Sequence, residues 1–181
     1  MSDASDLTRR DALKVAVGTA VASQVTALRA AAAAPDLRFF TAEEFALADV
    51  LCELLIPADE HSPGARAAGA ARYIDGRLAE AFTDEPRTTW RTGLELLDAL
   101  ALREQGRRFV DVAAPQQIAL LERLAANEQK PVSAEDRFFV ELKRRTVHAY
   151  YTSRVGIHDE LEYKGNVMLE EFVGTDVSRD R

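Results

Sequence analysis

The chain has 181 residues, a formal net charge of −7, one cysteine and 47% hydrophobic residues. Its length fits one domain with a core of its own, and its mixture of charged and apolar residues is that of a folded protein. The acidic charge argues against a nucleic-acid partner, because such a protein needs a basic face to neutralise phosphate. A single cysteine excludes an intrachain disulfide framework and any cysteine-rich metal site.

Residues 1–34 predict an export leader. The sequence Thr8-Arg9-Arg10-Asp11-Ala12-Leu13-Lys14 precedes a weakly apolar run and then the small residues Ala30–Ala34, which is the order found in leaders. It resembles the twin-arginine signal in Arg9, Arg10, Leu13 and Lys14, although Ala12 stands where an aromatic residue is preferred. The alternative is an ordinary amphipathic helix with solvated arginines.

Removal of such a leader changes the charge of the remainder. Residues 1–34 carry four basic and three acidic residues, so residues 35–181 have a net charge of −8. The twin-arginine route transports folded proteins. The resemblance therefore implies that residues 35–181 form a domain in the periplasm. The outer face of the inner membrane is one location that this implies.

The remainder predicts an all-α protein: a single compact helical domain of about five helices. A capping box at Thr41-Ala42-Glu43-Glu44 opens the first helix, and Pro57 follows its end. A second helix is expected to begin at Ser62-Pro63, with Ser62 as the N-cap. The spacing of its apolar residues predicts a buried face made of Ala67, Ala70, Ala71, Ile74, Leu78 and Phe82.

Three more helices follow the same logic. The third begins near Pro86, and the fourth runs from Pro115 to about Ala126. Ser133 caps the fifth. The spacing of apolar residues predicts which residues of each helix are buried. They are Trp90, Leu94, Leu97 and Ala101 in the third helix, Ile118, Leu121 and Leu124 in the fourth, and Phe138, Phe139, Leu142, Thr146 and Tyr150 in the fifth. Residues 152–174 predict an irregular, extended segment that faces a partner.

The sequence contains no motif of a reaction centre. There is no G-x-S-x-G elbow, no glycine-rich phosphate loop and no C-x-x-C-H haem site. His61, His148 and His158 lie in unrelated segments, and Asp59 is expected to form a turn after Pro57. A metal-dependent enzyme that uses these histidines is one alternative, and a free-standing periplasmic helical adaptor is another.

Two features suggest contact with another chain. Arg144-Arg145 and Tyr150-Tyr151 are residue types that anchor interfaces, although the arginines also fit a solvated face. Cys52 lies among apolar residues of the first helix and is expected to be buried and inert. The alternative for an exported protein is an intermolecular disulfide through Cys52.

Two stretches resemble the gluconate 2-dehydrogenase subunit 3 family. The first is Ile56-Pro57-Ala58-Asp59-Glu60-His61-Ser62-Pro63-Gly64-Ala65 with Tyr73-Ile74-Asp75. The second runs from Phe138-Phe139 through Tyr150-Tyr151-Thr152-Ser153 and Gly156-Ile157-His158 to Tyr163-Lys164-Gly165-Asn166 and Phe172-Val173-Gly174. The likeness extends from about Phe39 to Gly174. It departs from many relatives at His148-Ala149, where they place Glu-Gly.

The resemblance implies a non-catalytic small subunit that carries no cofactor or metal of its own. Its expected partner is a catalytic subunit of the glucose–methanol–choline (GMC) oxidoreductase class that binds FAD, oxidises a sugar or sugar acid, and passes electrons to a cytochrome c subunit or another acceptor. The partner commonly lacks a leader, so the small subunit would carry the folded pair across the membrane. The residues expected at the interface are Pro57, His61, Pro63, Tyr150, Tyr151, Arg154, His158, Tyr163, Asn166 and Phe172.

Overall fold

The chain folds into helices over residues 36–165, the part that the computed structural model describes. Five α-helices follow one another: α1 (Ala42–Leu55), α2 (Ala70–Ala79), α3 (Glu85–Gln105), α4 (Ala114–Ala125) and α5 (Ala134–Tyr151). A 3₁₀ turn, Phe109–Asp111, precedes α4, and a π-helical turn, Gly156–Glu160, follows α5. No β-strand occurs in this range, so the all-α prediction is confirmed. None of the helices described there has the length and hydrophobicity needed to cross a membrane.

Helix α5 lies at the centre of the domain, because it packs against each of the other four α-helices. Its start is fixed by a capping box: the Ser133 hydroxyl accepts the Asp136 N–H, and the Asp136 carboxylate accepts the Ser133 N–H. A cap of this kind contributes about 0.5–2 kcal/mol. The inward face predicted for this helix is confirmed, with buried residues Phe138, Phe139, Leu142, Thr146 and Tyr150.

The region before α2 differs from the sequence prediction. The helix begins at Ala70, whereas Ser62 is buried and residues 65–69 form turns. Ser62 fails as an N-cap because its hydroxyl group is hydrogen bonded to Tyr150 of α5. Two residues of the predicted face are not buried: Ala67 is exposed within these turns, and Phe82, beyond the other end of α2, is fully exposed. In α4 the predicted Ile118 is 44% exposed, and Leu120 is buried beside Leu121 and Leu124.

Asp75 of α2 holds the entry of the chain into the domain. Its buried carboxylate accepts the backbone N–H groups of Arg38, Phe39 and Phe40 at 2.8, 3.0 and 2.7 Å. Hydrogen bonds to a carboxylate are stronger than neutral ones, and three of them offset the cost of burying the charge. The segment before α1 is therefore attached to α2.

Aromatic side chains fill the space between the entry segment, α3 and α5. The Trp90 ring lies 5.8 Å from that of Phe40 and 5.5 Å from that of Phe138, edge to face with the latter. Its indole N–H has no hydrogen-bond partner within the described residues. Gly93 completes the contact: a Cβ atom there would overlap the Phe138 ring. Helices α3 and α5 can therefore approach this closely only because residue 93 is glycine.

Gly93→Ala is expected to lower the free energy of unfolding by about 1–3 kcal/mol, because the added methyl group must displace the Phe138 ring. Gly76→Ala is the matched control, since a Cβ at position 76 of α2 has only the Arg38 guanidinium nearby, at 3.8 Å. That control should be neutral or stabilising by up to about 1 kcal/mol. Urea unfolding followed by circular dichroism measures both, and equal effects would contradict the close α3–α5 contact.

Candidate functional site

Two segments that are far apart in the sequence meet beside the C-terminal end of α5. One is the loop of residues 57–63 between α1 and α2, and the other is the π-helical turn Gly156–Glu160 with the residues after it. The ring of His61 donates a hydrogen bond through Nε2 to the carbonyl oxygen of Glu160, over 3.3 Å. The structure thus brings together on one face the two stretches expected to contact a partner.

Tyr150 connects the loop of residues 57–63 to α5 through hydrogen bonds on the buried side of the loop. Its hydroxyl group is hydrogen bonded to that of Ser62 and donates to the carbonyl oxygen of Pro63 at 2.9 Å. Tyr150 is only 1% exposed, so its assignment to the partner interface is wrong. The reason is geometric, since the i, i+4 spacing from Thr146 places Tyr150 on the inward face of α5. Tyr150 therefore holds the loop in place while it is itself inaccessible from the surface.

Asp59 makes the turn that was predicted for it. Its carboxylate accepts the backbone N–H groups of His61 at 2.9 Å and Ser62 at 2.8 Å. The bonds from Ser62 and His61 hold the pKa of Asp59 below its ordinary value. The turn leaves Pro57, His61 and Pro63 exposed.

The segment after α5 begins with a regular π-helical turn, whereas an irregular, extended chain was expected from residue 152. The Leu161 N–H bonds to the Gly156 carbonyl oxygen at 3.0 Å, which is the i to i+5 pattern. Ser153 prepares this turn, because its hydroxyl group donates to the Tyr150 carbonyl oxygen and accepts the Gly156 N–H. A Cβ at Gly156 would overlap that same carbonyl oxygen. π-Helical turns occur frequently at functional sites.

The outer side of these segments forms the candidate docking surface, defined as the loop of residues 57–63, Tyr151 and residues 154–163. Tyr151 reaches Glu160, with 3.5 Å between the phenolic oxygen and Oε1, and the pKa of Tyr151 is raised by partial burial and then by the charge of Glu160. His158 Nδ1 lies 3.3 Å from the Tyr163 carbonyl oxygen. The predicted contact residues Tyr151, Arg154, His158 and Tyr163 are all exposed here.

The candidate docking surface carries both exposed apolar side chains and carboxylates. Tyr151, Leu161 and Tyr163 are 39%, 58% and 49% exposed. Carboxylates lie along both segments, at Asp59, Glu60, Asp159, Glu160 and Glu162. Exposed tyrosines within a polar rim are typical of protein–protein interfaces.

Cys52 lies in the core, as the sequence favoured. The residue is fully buried, its sulfur is 3.4 Å from the Thr146 hydroxyl oxygen, and burial raises the pKa of the thiol to about 12. The thiol is therefore protonated at neutral pH and poorly nucleophilic. An intermolecular disulfide would require α1 to move away from α5.

The three histidines do not converge. His61 and His158 make the backbone contacts described above, while His148 lies on α5 with Nε2 3.3 Å from the Tyr73 hydroxyl oxygen. Within residues 36–165, no three His, Cys, Asp or Glu side chains are grouped as metal ligands.

Some expected residues fall outside the described part of the chain: Arg9, Arg10, Leu13 and Lys14 of the leader, and Asn166 and Phe172. Glu160 and Leu161 lie within the segment that was expected to face a partner, but the sequence did not single them out as contact residues. The signal for Leu161 was weak, because an apolar residue in a short segment with no periodicity does not reveal whether it is exposed.

The family to which the chain belongs follows from a family-model comparison. The model described as Gluconate 2-dehydrogenase subunit 3 matches residues 42–167, which are 126 of the 181 residues. The match includes all five α-helices and the candidate docking surface. The chain belongs to the gluconate 2-dehydrogenase subunit 3 family, which confirms the resemblance seen in the sequence. No curated protein and no solved structure matched the chain in the other two comparisons.

Tyr150→Phe is expected to lower the free energy of unfolding by about 1–2 kcal/mol, because Ser62 and the Pro63 carbonyl oxygen lose a buried partner. Tyr151→Phe is the adjacent control. Its hydroxyl group makes only a long contact on the surface, so a change within about 0.5 kcal/mol is expected. Hydrogen exchange should also rise in residues 57–63 in Tyr150→Phe alone. Unchanged exchange there would contradict the role of Tyr150 in holding the loop.

Proposed function

We propose that this chain is the non-catalytic small subunit of a periplasmic, FAD-dependent dehydrogenase of sugars or sugar acids. It binds the flavin-bearing catalytic subunit of the GMC oxidoreductase class, stabilises it, and provides the twin-arginine signal that exports the folded pair. The observation that carries the proposal is the family match over residues 42–167, since the family is by name one subunit of a gluconate 2-dehydrogenase. A cytochrome c subunit is a further partner on the same proposal.

The candidate docking surface supports the binding role. Its two segments are tied to the central helix by partly buried hydrogen bonds from Tyr150 and Ser153. Most of its side chains nevertheless remain exposed, including two tyrosines and a leucine. A surface that is rigid before binding loses less entropy on association than a mobile one.

On this proposal the chain contributes binding and export, and the partner contributes the flavin and the redox chemistry.

Co-expression with the flavoprotein that we expect the neighbouring reading frame to encode tests the proposal. Dehydrogenase activity in the periplasmic fraction is expected with both chains and is expected to fall to background when this chain is omitted. An active flavoprotein exported without this chain would overturn the proposal.

Tyr151→Arg combined with Leu161→Arg is expected to abolish binding of the flavoprotein without affecting export of the small chain. Two charges then replace two exposed apolar residues of the candidate docking surface. The small chain should still reach the periplasm while the flavoprotein stays in the cytoplasm. The matched control is Phe82→Arg combined with Leu102→Arg, two exposed apolar residues outside that surface. Immunoblots of the two fractions measure the distribution, and equal loss of the flavoprotein in both double variants would contradict the assigned surface.

Arg9→Lys combined with Arg10→Lys is expected to keep both subunits in the cytoplasm, still assembled and active, because the signal is changed and the domain is not. Arg29→Lys makes the same chemical change outside the motif and should leave export intact. Cell fractionation and an activity assay on each fraction provide the measurement. Normal export of the chain with both Arg9→Lys and Arg10→Lys would exclude the twin-arginine route.

A further inference from the structure

A second surface lies next to the candidate docking surface and has the opposite charge. Helices α2 and α5 enclose a cleft of about 190 Å³, named here the α2–α5 cleft, lined by Tyr73, Ile74, Arg77, Arg144, Arg145 and His148. Three of its six lining residues are arginines, in a chain whose net charge is −7. The sequence singled out Arg144 and Arg145, but nothing in it indicated that Arg77 would face them across the cleft.

The α2–α5 cleft has more arginines than carboxylates that pair with them. Arg144 and Arg145 both pair with the single carboxylate of Glu141. Arg77 pairs with Glu80 at 3.3 Å, and Glu80 also pairs with Arg38 at 2.6 Å. The side chains of Arg77 and Arg144 remain 57% and 65% exposed, so both guanidinium groups have donors that a further acceptor can reach.

The cleft is continuous with the candidate docking surface along α5. Arg144, His148 and Tyr151 follow the i, i+4, i+7 spacing of one helical face, and all three are exposed. Exposed Tyr73 extends this face across to α2, with its ring 5.9 Å from that of His148. A partner that covers Tyr151 therefore also lies over the mouth of the α2–α5 cleft.

We propose that the α2–α5 cleft receives an acidic side chain of the catalytic subunit, whose carboxylate is bound by Arg77 and Arg144 when the subunits assemble. The inference rests on the proposed function. Guanidinium groups bind carboxylates through paired N–H donors, and the cleft is of a size for one side chain. Because the carboxylates of the candidate docking surface lie beside this basic cleft, the charge pattern favours one orientation of the partner.

Charge reversal at the cleft tests the proposal. Arg77→Glu combined with Arg144→Glu is expected to weaken binding of the full-length chain to the purified flavoprotein about tenfold or more at low salt. The control is Arg103→Glu combined with Arg137→Glu, which changes the charge equally at two exposed arginines outside the cleft. The control should change the dissociation constant less than about threefold. The difference between the dissociation constants of the two double variants should shrink near 0.5 M salt. Equal dissociation constants for the two double variants would overturn the inference.

Chemical coupling identifies the occupant directly. Arg144→Lys keeps the positive charge and adds a primary amine, which a carbodiimide joins to a carboxylate in contact with it. Mass spectrometry of the coupled complex should find position 144 linked to an Asp or Glu of the flavoprotein, whereas Arg103→Lys should give no such link. Links from position 144 only to Glu141 would overturn the proposal.

The two proposals fail in different ways. If the unaltered chain does not bind the flavoprotein, the proposed function is wrong, and this inference falls with it. If the unaltered chain binds and the cleft variant binds equally well, only the cleft assignment is wrong. If the cleft variant instead loses binding of sodium gluconate to the isolated chain while it retains the flavoprotein, the occupant is a free small carboxylate, and the assignment to the partner is wrong.

Discussion

The arrangement of the candidate docking surface depends on the hydrogen bonds of the Tyr150 hydroxyl group. It joins α5 to Ser62 and Pro63, while the backbone carbonyl of the same residue receives the Ser153 hydroxyl group that shapes the following turn. One residue thus fixes both segments of the candidate docking surface from the inside. A buried polar group with all its partners present is rigidifying, since any displacement leaves a donor or acceptor unpaired in the core.

The sequence predicts the helices well where local chemistry decides them. The capping boxes at Thr41 and Ser133 and the apolar spacing of α5 are properties of neighbouring residues, and the structure confirms them. Ser62-Pro63 has equally good local signals for a helix start, yet the partner that decides its conformation is 88 residues away, at Tyr150. Tertiary contacts of this kind leave no local pattern, so the beginning of α2 was not predictable, whereas the apolar spacing of α5 did predict the burial of Tyr150.

The candidate docking surface shows the same division. The family resemblance led to the expectation that the loop of residues 57–63 and the segment after Gly156 contact a partner, but it did not indicate that they meet at His61 and Glu160. The sequence contains no signal for Arg77, because its position in the α2–α5 cleft beside Arg144 depends on how the two helices pack. The result is a face with acidic and basic parts side by side, and such a pattern favours a single orientation of a partner more than it increases affinity.

The three hydrogen bonds at Asp75 have a mechanical consequence. They act on consecutive residues, Arg38, Phe39 and Phe40, and end on one carboxylate. A force applied through the N-terminal end of the chain therefore meets these three bonds before it reaches α1. On the proposed export route, where a passenger is drawn across a membrane by its first residues, such an anchor keeps the force from unwinding the first helix turn by turn.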